Sequence, residues 1–190
     1  MASDDAGRAL FFVPTDNDVD LAALVMTPQK YPNLSSYTFY DVPFRILTTD
    51  SESSKLSTGV PVMAATLLPG FTGAEKNYPI FKAGTFSSKP DETVQVPCPD
   101  KINHRAVRAW LISASLQEGA SGAPVFGLAD RGPGNHKIPV LVGVQSFSWL
   151  DQGIVGVTPT KHLVDLMTKT VTGFDVNLNR GVETPTTKGQ

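Results

Sequence analysis

Punctuation restricts this chain more than any other feature. Its apolar runs are short, and each is closed by turn residues: 21–26, 42–47, 60–68, 78–86, 94–96, 106–115, 123–128, 140–147 and 153–159. Sixteen glycines and fifteen prolines in 190 residues stop nearly every run before it could become a long helix. Short runs at this spacing predict an all-β chain. No internal repeat points to a solenoid or propeller. Charged residues are 18% of the chain, below the ~25% of ordinary globular domains, which excludes a coiled coil or a charge-rich disordered chain. The net charge of -2 gives no basic excess for nucleic acid or an anionic membrane. No run approaches the ~18 apolar residues of a membrane helix.

One segment reads as a helix, 159–169 (PTKHLVDLMTK). Thr158 can cap it, Pro159 suits the first turn, and Leu163, Val164, Leu166 and Met167 share a face. The polar stretch after residue 47, TTDSESSKLSTG, reads as an exposed connection. Gly84 inside the run 78–86 reads as a bulge or a point of close packing. Cys98 is the single cysteine, so no intrachain disulfide can form and the fold rests on its core, as expected in a reducing compartment or in a bacterial secreted protein built without bridges. With His104, His136 and His162 scattered along the chain, no zinc-ligand spacing occurs, and nothing calls for a metal, nucleotide or redox cofactor. No basic-then-apolar secretory leader is visible at the N-terminus, and localisation is left unassigned.

The segment richest in chemistry is 118–126, EGASGAPVF. Gly119-Ala120-Ser121-Gly122 sets a serine between small residues on a tight turn. Small neighbours let a carbonyl approach the backbone and let N–H groups converge on it, as an oxyanion hole requires. A bare Gly-x-Ser-Gly is equally an ordinary glycine turn, so what surrounds it decides. A strand follows the serine, unlike the helix after the α/β-hydrolase nucleophile.

Over residues 8–169 the sequence resembles the trypsin-like (chymotrypsin-fold) serine peptidases, especially the bacterial branch without disulfides. VDLAAL (19–24) is similar to the family's aspartate motif, and YPIFKAGTFSS (78–88) to the stretch that opens the second barrel. GASGAPVF is similar to the nucleophile loop, VLVGVQSF (140–147) and GIVGVTP (153–159) to the last two strands, and 159–169 to the closing helix. The resemblance implies an all-β, chymotrypsin-like double β-barrel over 8–171, followed by a polar tail, 172–190, expected to be disordered. The second barrel, six strands over about 60–158, is expected to be complete and the first only partial. By the same resemblance Ser121 is the nucleophile, Gly119 and Ser121 supply the oxyanion N–H groups, and Asp20, rather than neighbouring Asp16 or Asp18, orients the imidazole. Ser115 lies at the base of the substrate pocket, Ser146, Phe147 and Ser148 form a wall, and Gly153 keeps the entrance open. No carboxylate stands among these residues, so the pocket is expected to be apolar or mildly polar, without preference for Lys or Arg.

One part of the pattern is missing. In this family the histidine precedes the aspartate, and none of the 19 residues before Asp20 is a histidine. His104, His136 and His162 read as surface residues, and Cys98 has no oxyanion-type turn around it to act as a thiol nucleophile. Lys101, His104, Arg105 and Arg108 read as a small solvated basic face. The expected function is a serine endopeptidase acting on peptide or protein substrates, represented by an N-terminally incomplete chain that is inactive alone. The alternatives are a degenerate peptidase-like domain that binds peptides or protein partners without cleaving, and a purely structural β-barrel module with an unreactive Ser121. Oligomeric state is not readable from the sequence.

Overall fold

Alternation of buried and exposed residues along the strands sets the architecture. In β3 (Pro61–Thr66) Val62 and Ala64 face inward between exposed Pro61 and Met63; in β8 (Pro124–Asp130) Val125, Gly127 and Ala129 do the same. A strand buried on one face must close against others carrying the same pattern. A computed structural model describes residues 11–24, 32–33, 42–48, 50–67, 78–98, 102–116, 119–131, 136–149 and 151–170.

Six strands close into an antiparallel barrel in the order β10-β7-β4-β3-β8-β9. Besides β3 and β8 these are β4 (Ile80–Ser88), β7 (Trp110–Ala114), β9 (Lys137–Trp149) and β10 (Ile154–Pro159). The six-stranded barrel expected over about 60–158 is therefore present. Its interior is packed with Val62, Phe86, Ile112, Val125, Val140, Val142, Val155 and Val157, each at most 4% exposed. Outside it, β5 (Val94–Pro97) and β6 (His104–Val107) pair as a hairpin over a second small core of Val96, Val107 and Ala109, against which Phe147 and Trp149 pack. The run expected as one strand over 106–115 is thus two strands. Residues up to Val107 pair with β5, and those from Trp110 pair with β4 and β10.

Ahead of the barrel, β1 (Phe11–Phe12) and β2 (Ala23–Leu24) form a two-residue pair. The run 42–47 is not a strand. Phe44–Ile46 form a 3-10 turn, and Leu47 makes one isolated parallel bridge to Leu141. Nor is the polar stretch after it a plain loop: Asp50–Lys55 form a helix, α1. The C-terminal helix α2, Thr160–Thr170, starts one residue later than expected, because Pro159 still pairs with Gly143 in the sheet. Residues 25–31 and 34–41, where more of a first barrel would lie, and the tail 172–190 fall outside the described residues, as does Lys101. Among the described residues no helix is long and apolar enough to cross a membrane.

Candidate functional site

The Ser121 turn closes one end of the barrel. Gly119 and Gly122 adopt φ of +87° and +85°, a left-handed backbone that residues with a Cβ rarely accept. The turn is tied down on its C-terminal side by the backbone of Gln145 in β9. The Gly122 N–H donates to the Gln145 carbonyl at 2.8 Å, the Gln145 N–H donates to the Ala123 carbonyl at 2.9 Å, and Ala123 N–H closes the turn on the Ala120 carbonyl at 2.9 Å. Ser121 itself is exposed, whereas Ala120 and Ala123 on either side are buried. No acceptor among the described residues takes the Gly119 or the Ser121 N–H. A shallow groove of about 300 Å³ runs along the turn, with Ala65, Thr66, Leu67 and Pro79 as its far wall.

Asp20 is held against the barrel. The Arg108 N–H donates to the Asp18 carbonyl at 2.6 Å, and Thr158 Oγ1 in β10 donates to the Asp20 carbonyl at 3.0 Å. Val19 between them is buried at 6% exposed. Asp20 and the Ser121 turn are linked through neighbouring strands: Gln145 pairs with Val157, and the next residue, Thr158, carries Asp20. The Asp20 carboxylate is paired with Arg105, and Asp18 with Arg108 Nε at 2.9 Å. The two arginines read as a solvated face are thus the counter-ions of the aspartate segment.

None of the three histidines hydrogen-bonds Ser121 or Asp20 among the described residues. His104 opens β6, and His136 precedes β9; both are exposed. His162 is half-buried on α2, where burial, ahead of the Lys161 and Arg108 charges, pushes its pKa below the ordinary imidazole value; Asp165 and Asp18 partly oppose this. Cys98 is a free thiol whose N–H closes the β5–β6 loop on the Asn103 carbonyl.

The residues expected to line the substrate pocket occupy the β7, β9 and β10 side of the barrel end rather than the groove wall. Ser115 is exposed just after β7. Ser146 Oγ donates to the Gly156 carbonyl at 3.3 Å. The Phe147 ring covers Gly156, its partner across the β9–β10 ladder, and stands edge-on to Trp149 at 5.3 Å. Ser148 pairs with Val155, and Gly153, at φ +64°, sits in the β9–β10 turn and accepts the Ala114 N–H. A Cβ at Gly156 would run into the Phe147 ring, so Gly156 is the glycine that lets this ring lie on β10. Sequence reasoning also passed over Gln145. It lies in an apolar run, and only the structure shows its side chain buried, with Oε1 unpartnered among the described residues.

No group of three or more His, Cys, Asp or Glu side chains that could hold a metal ion occurs among the described residues. No protein-family model and no curated protein matches the chain.

Proposed function

We propose that this chain carries the nucleophile-bearing part of a trypsin-like serine endopeptidase, with the closed barrel as the second of the family's two barrels. The observation that carries the reading is the Ser121 turn. An exposed serine hydroxyl stands on a turn fixed by two left-handed glycines and by the Gln145 backbone, with the Gly119 and Ser121 N–H groups unclaimed among the described residues. In this reading the scissile carbonyl lies against those two N–H groups, Ser121 Oγ attacks it, and the N–H pair stabilises the oxyanion that forms. Asp20 orients the imidazole that must take the serine proton, and the acyl-side residue of the peptide enters between Ser115, Ser146, Phe147, Ser148 and Gly153.

None of the three histidines hydrogen-bonds Ser121 among the described residues, so in this reading the chain lacks its base. In other serine proteases its loss costs on the order of a million-fold in turnover, roughly 8 kcal/mol of transition-state stabilisation. The 190-residue chain is therefore expected to bind peptides and to cleave them negligibly. The experiment compares it with a chain extended upstream to include a histidine, each treated with a fluorophosphonate probe and with casein. Labelling of Ser121 confined to the extended chain is expected. Strong labelling of the short chain would mean that one of its own histidines is the base.

One observation favours a second reading, a peptidase-like domain that binds without cleaving. The Asp20 carboxylate is engaged by Arg105, a cation that competes with an imidazolium for the same oxygens. An extended chain that binds casein yet leaves Ser121 unlabelled would establish it.

A further inference from the structure

Gln145 is 3% exposed, and its Oε1 has no hydrogen-bond partner among the described residues. A buried carbonyl oxygen left unpaired is costly, and folded proteins pair the great majority of them. Its place in the fold is specific. Gln145 stands opposite Val157 across the β9–β10 ladder, and its N–H bonds the Ala123 carbonyl; both Val157 and Ala123 belong to the barrel core. Partners across a ladder share a face, so the Gln145 side chain turns into the barrel at the end that the Ser121 turn closes. Its own carbonyl holds Gly122, the residue after Ser121.

We propose that Gln145 determines specificity: its buried amide recognises a carboxamide side chain, that of glutamine or asparagine, on the peptide residue whose carbonyl lies against Ser121. This rests on the reading of the Ser121 turn as a peptide-carbonyl site, whether or not cleavage follows. The chemistry selects among side chains. An aliphatic group would leave Oε1 unpaired, and so would a carboxylate, which can accept from the Gln145 amide N–H but has no hydrogen to give to Oε1. An ammonium would find no counter-charge among Ser115, Ser146, Ser148, Gly153 and Gln145. A carboxamide gives an N–H to Oε1 and offers its own carbonyl to the Gln145 amide N–H.

The test uses the 190-residue chain and acetyl-Ala-Ala-Pro-Gln, compared with the same peptide ending in methionine, glutamate or lysine. Binding is followed at the Gly119–Gly122 amides by NMR titration. The glutamine peptide is expected to bind about ten-fold tighter than the methionine peptide, the worth of one desolvated hydrogen bond, and Gln145→Leu or Gln145→Met to erase that difference. Peptides that bind without regard to their last side chain would overturn the Gln145 assignment alone. Failure of all four peptides to move these amides would overturn the peptide-site reading and this inference with it. Thermal melting adds an arm that needs no ligand. Removing an unpaired buried oxygen should leave the melting temperature of both variants unchanged or raised. A fall of several degrees in both would show that the amide serves the fold instead.

Discussion

Gly84 shows how narrowly one residue can be constrained. A Cβ there would strike the Ser113 carbonyl oxygen and come within 2.8 Å of Ala114 Cβ, its partner on β7. The obstacle is backbone of the neighbouring strand, so no rotamer change relieves it. Gly84→Ala is expected to force β4 and β7 apart and to cost about 1–3 kcal/mol, the usual range for overpacking, read from the denaturant midpoint at unchanged slope. The sequence alone marked this position, because a glycine inside an apolar run has few other reasons to be there. It marked Ser121 for the same kind of reason, a serine set among small turn residues. It could not mark the partner of Asp20, since Arg105 lies 85 residues away and nothing local announces the pairing. Gln145 was illegible for a related reason: a single polar residue in an apolar run reads as alternation until burial shows that it points inward.

Elements divide along the same line. The barrel strands were readable because each carries its own apolar run between turn residues, and the ladder only had to bring them together. Helix α1 was not readable, because little of what holds it is local. The Lys89 ammonium donates to the Ser53 and Leu56 carbonyls near its C-terminal end while lying 4.7 Å over the Trp110 ring. Burial lowers the pKa of that ammonium. From β8's end, Arg131 forks onto both carboxylate oxygens of Glu52 and reaches the Arg45 and Leu47 carbonyls. Arg131 therefore joins α1, the 3-10 turn and the barrel through one side chain, and its pair with Glu52 is mostly shielded, at 17% and 15% exposed. Arg131→Met should cost about 3 kcal/mol, the low end for orphaning one partner of a buried ion pair. Replacing Glu52 by Met as well should recover part of that loss, because the stranded charge is removed too. Urea unfolding of the two single variants and the double variant checks both statements; strictly additive losses would mean that the pair is not coupled.

At the scale of the whole molecule, the barrel depends on a seam that the sequence pattern did not disclose. The Asp18–Asp20 segment is held by Arg105, Arg108 and Thr158, and the charges of Asp18 and Arg108 also act on His162 of α2. His162 reports on that seam. Burial comes first in lowering its pKa, the Lys161 and Arg108 charges add to it, and Asp165 and Asp18 oppose it. A histidine whose folded pKa is depressed binds its proton more readily once the chain unfolds. Between the two values protons favour the unfolded state, so stability is full above the ordinary value near 6.5 and is lost as pH falls through it toward the folded value. The melting temperature should therefore decline between pH 7 and pH 5.5, and His162→Asn should flatten that part of the curve, because the titrating ring is gone. An unchanged slope in the variant would assign the decline to other groups. Peptide binding at the Ser121 turn, tied to β9 and not to α2, should persist over the same interval.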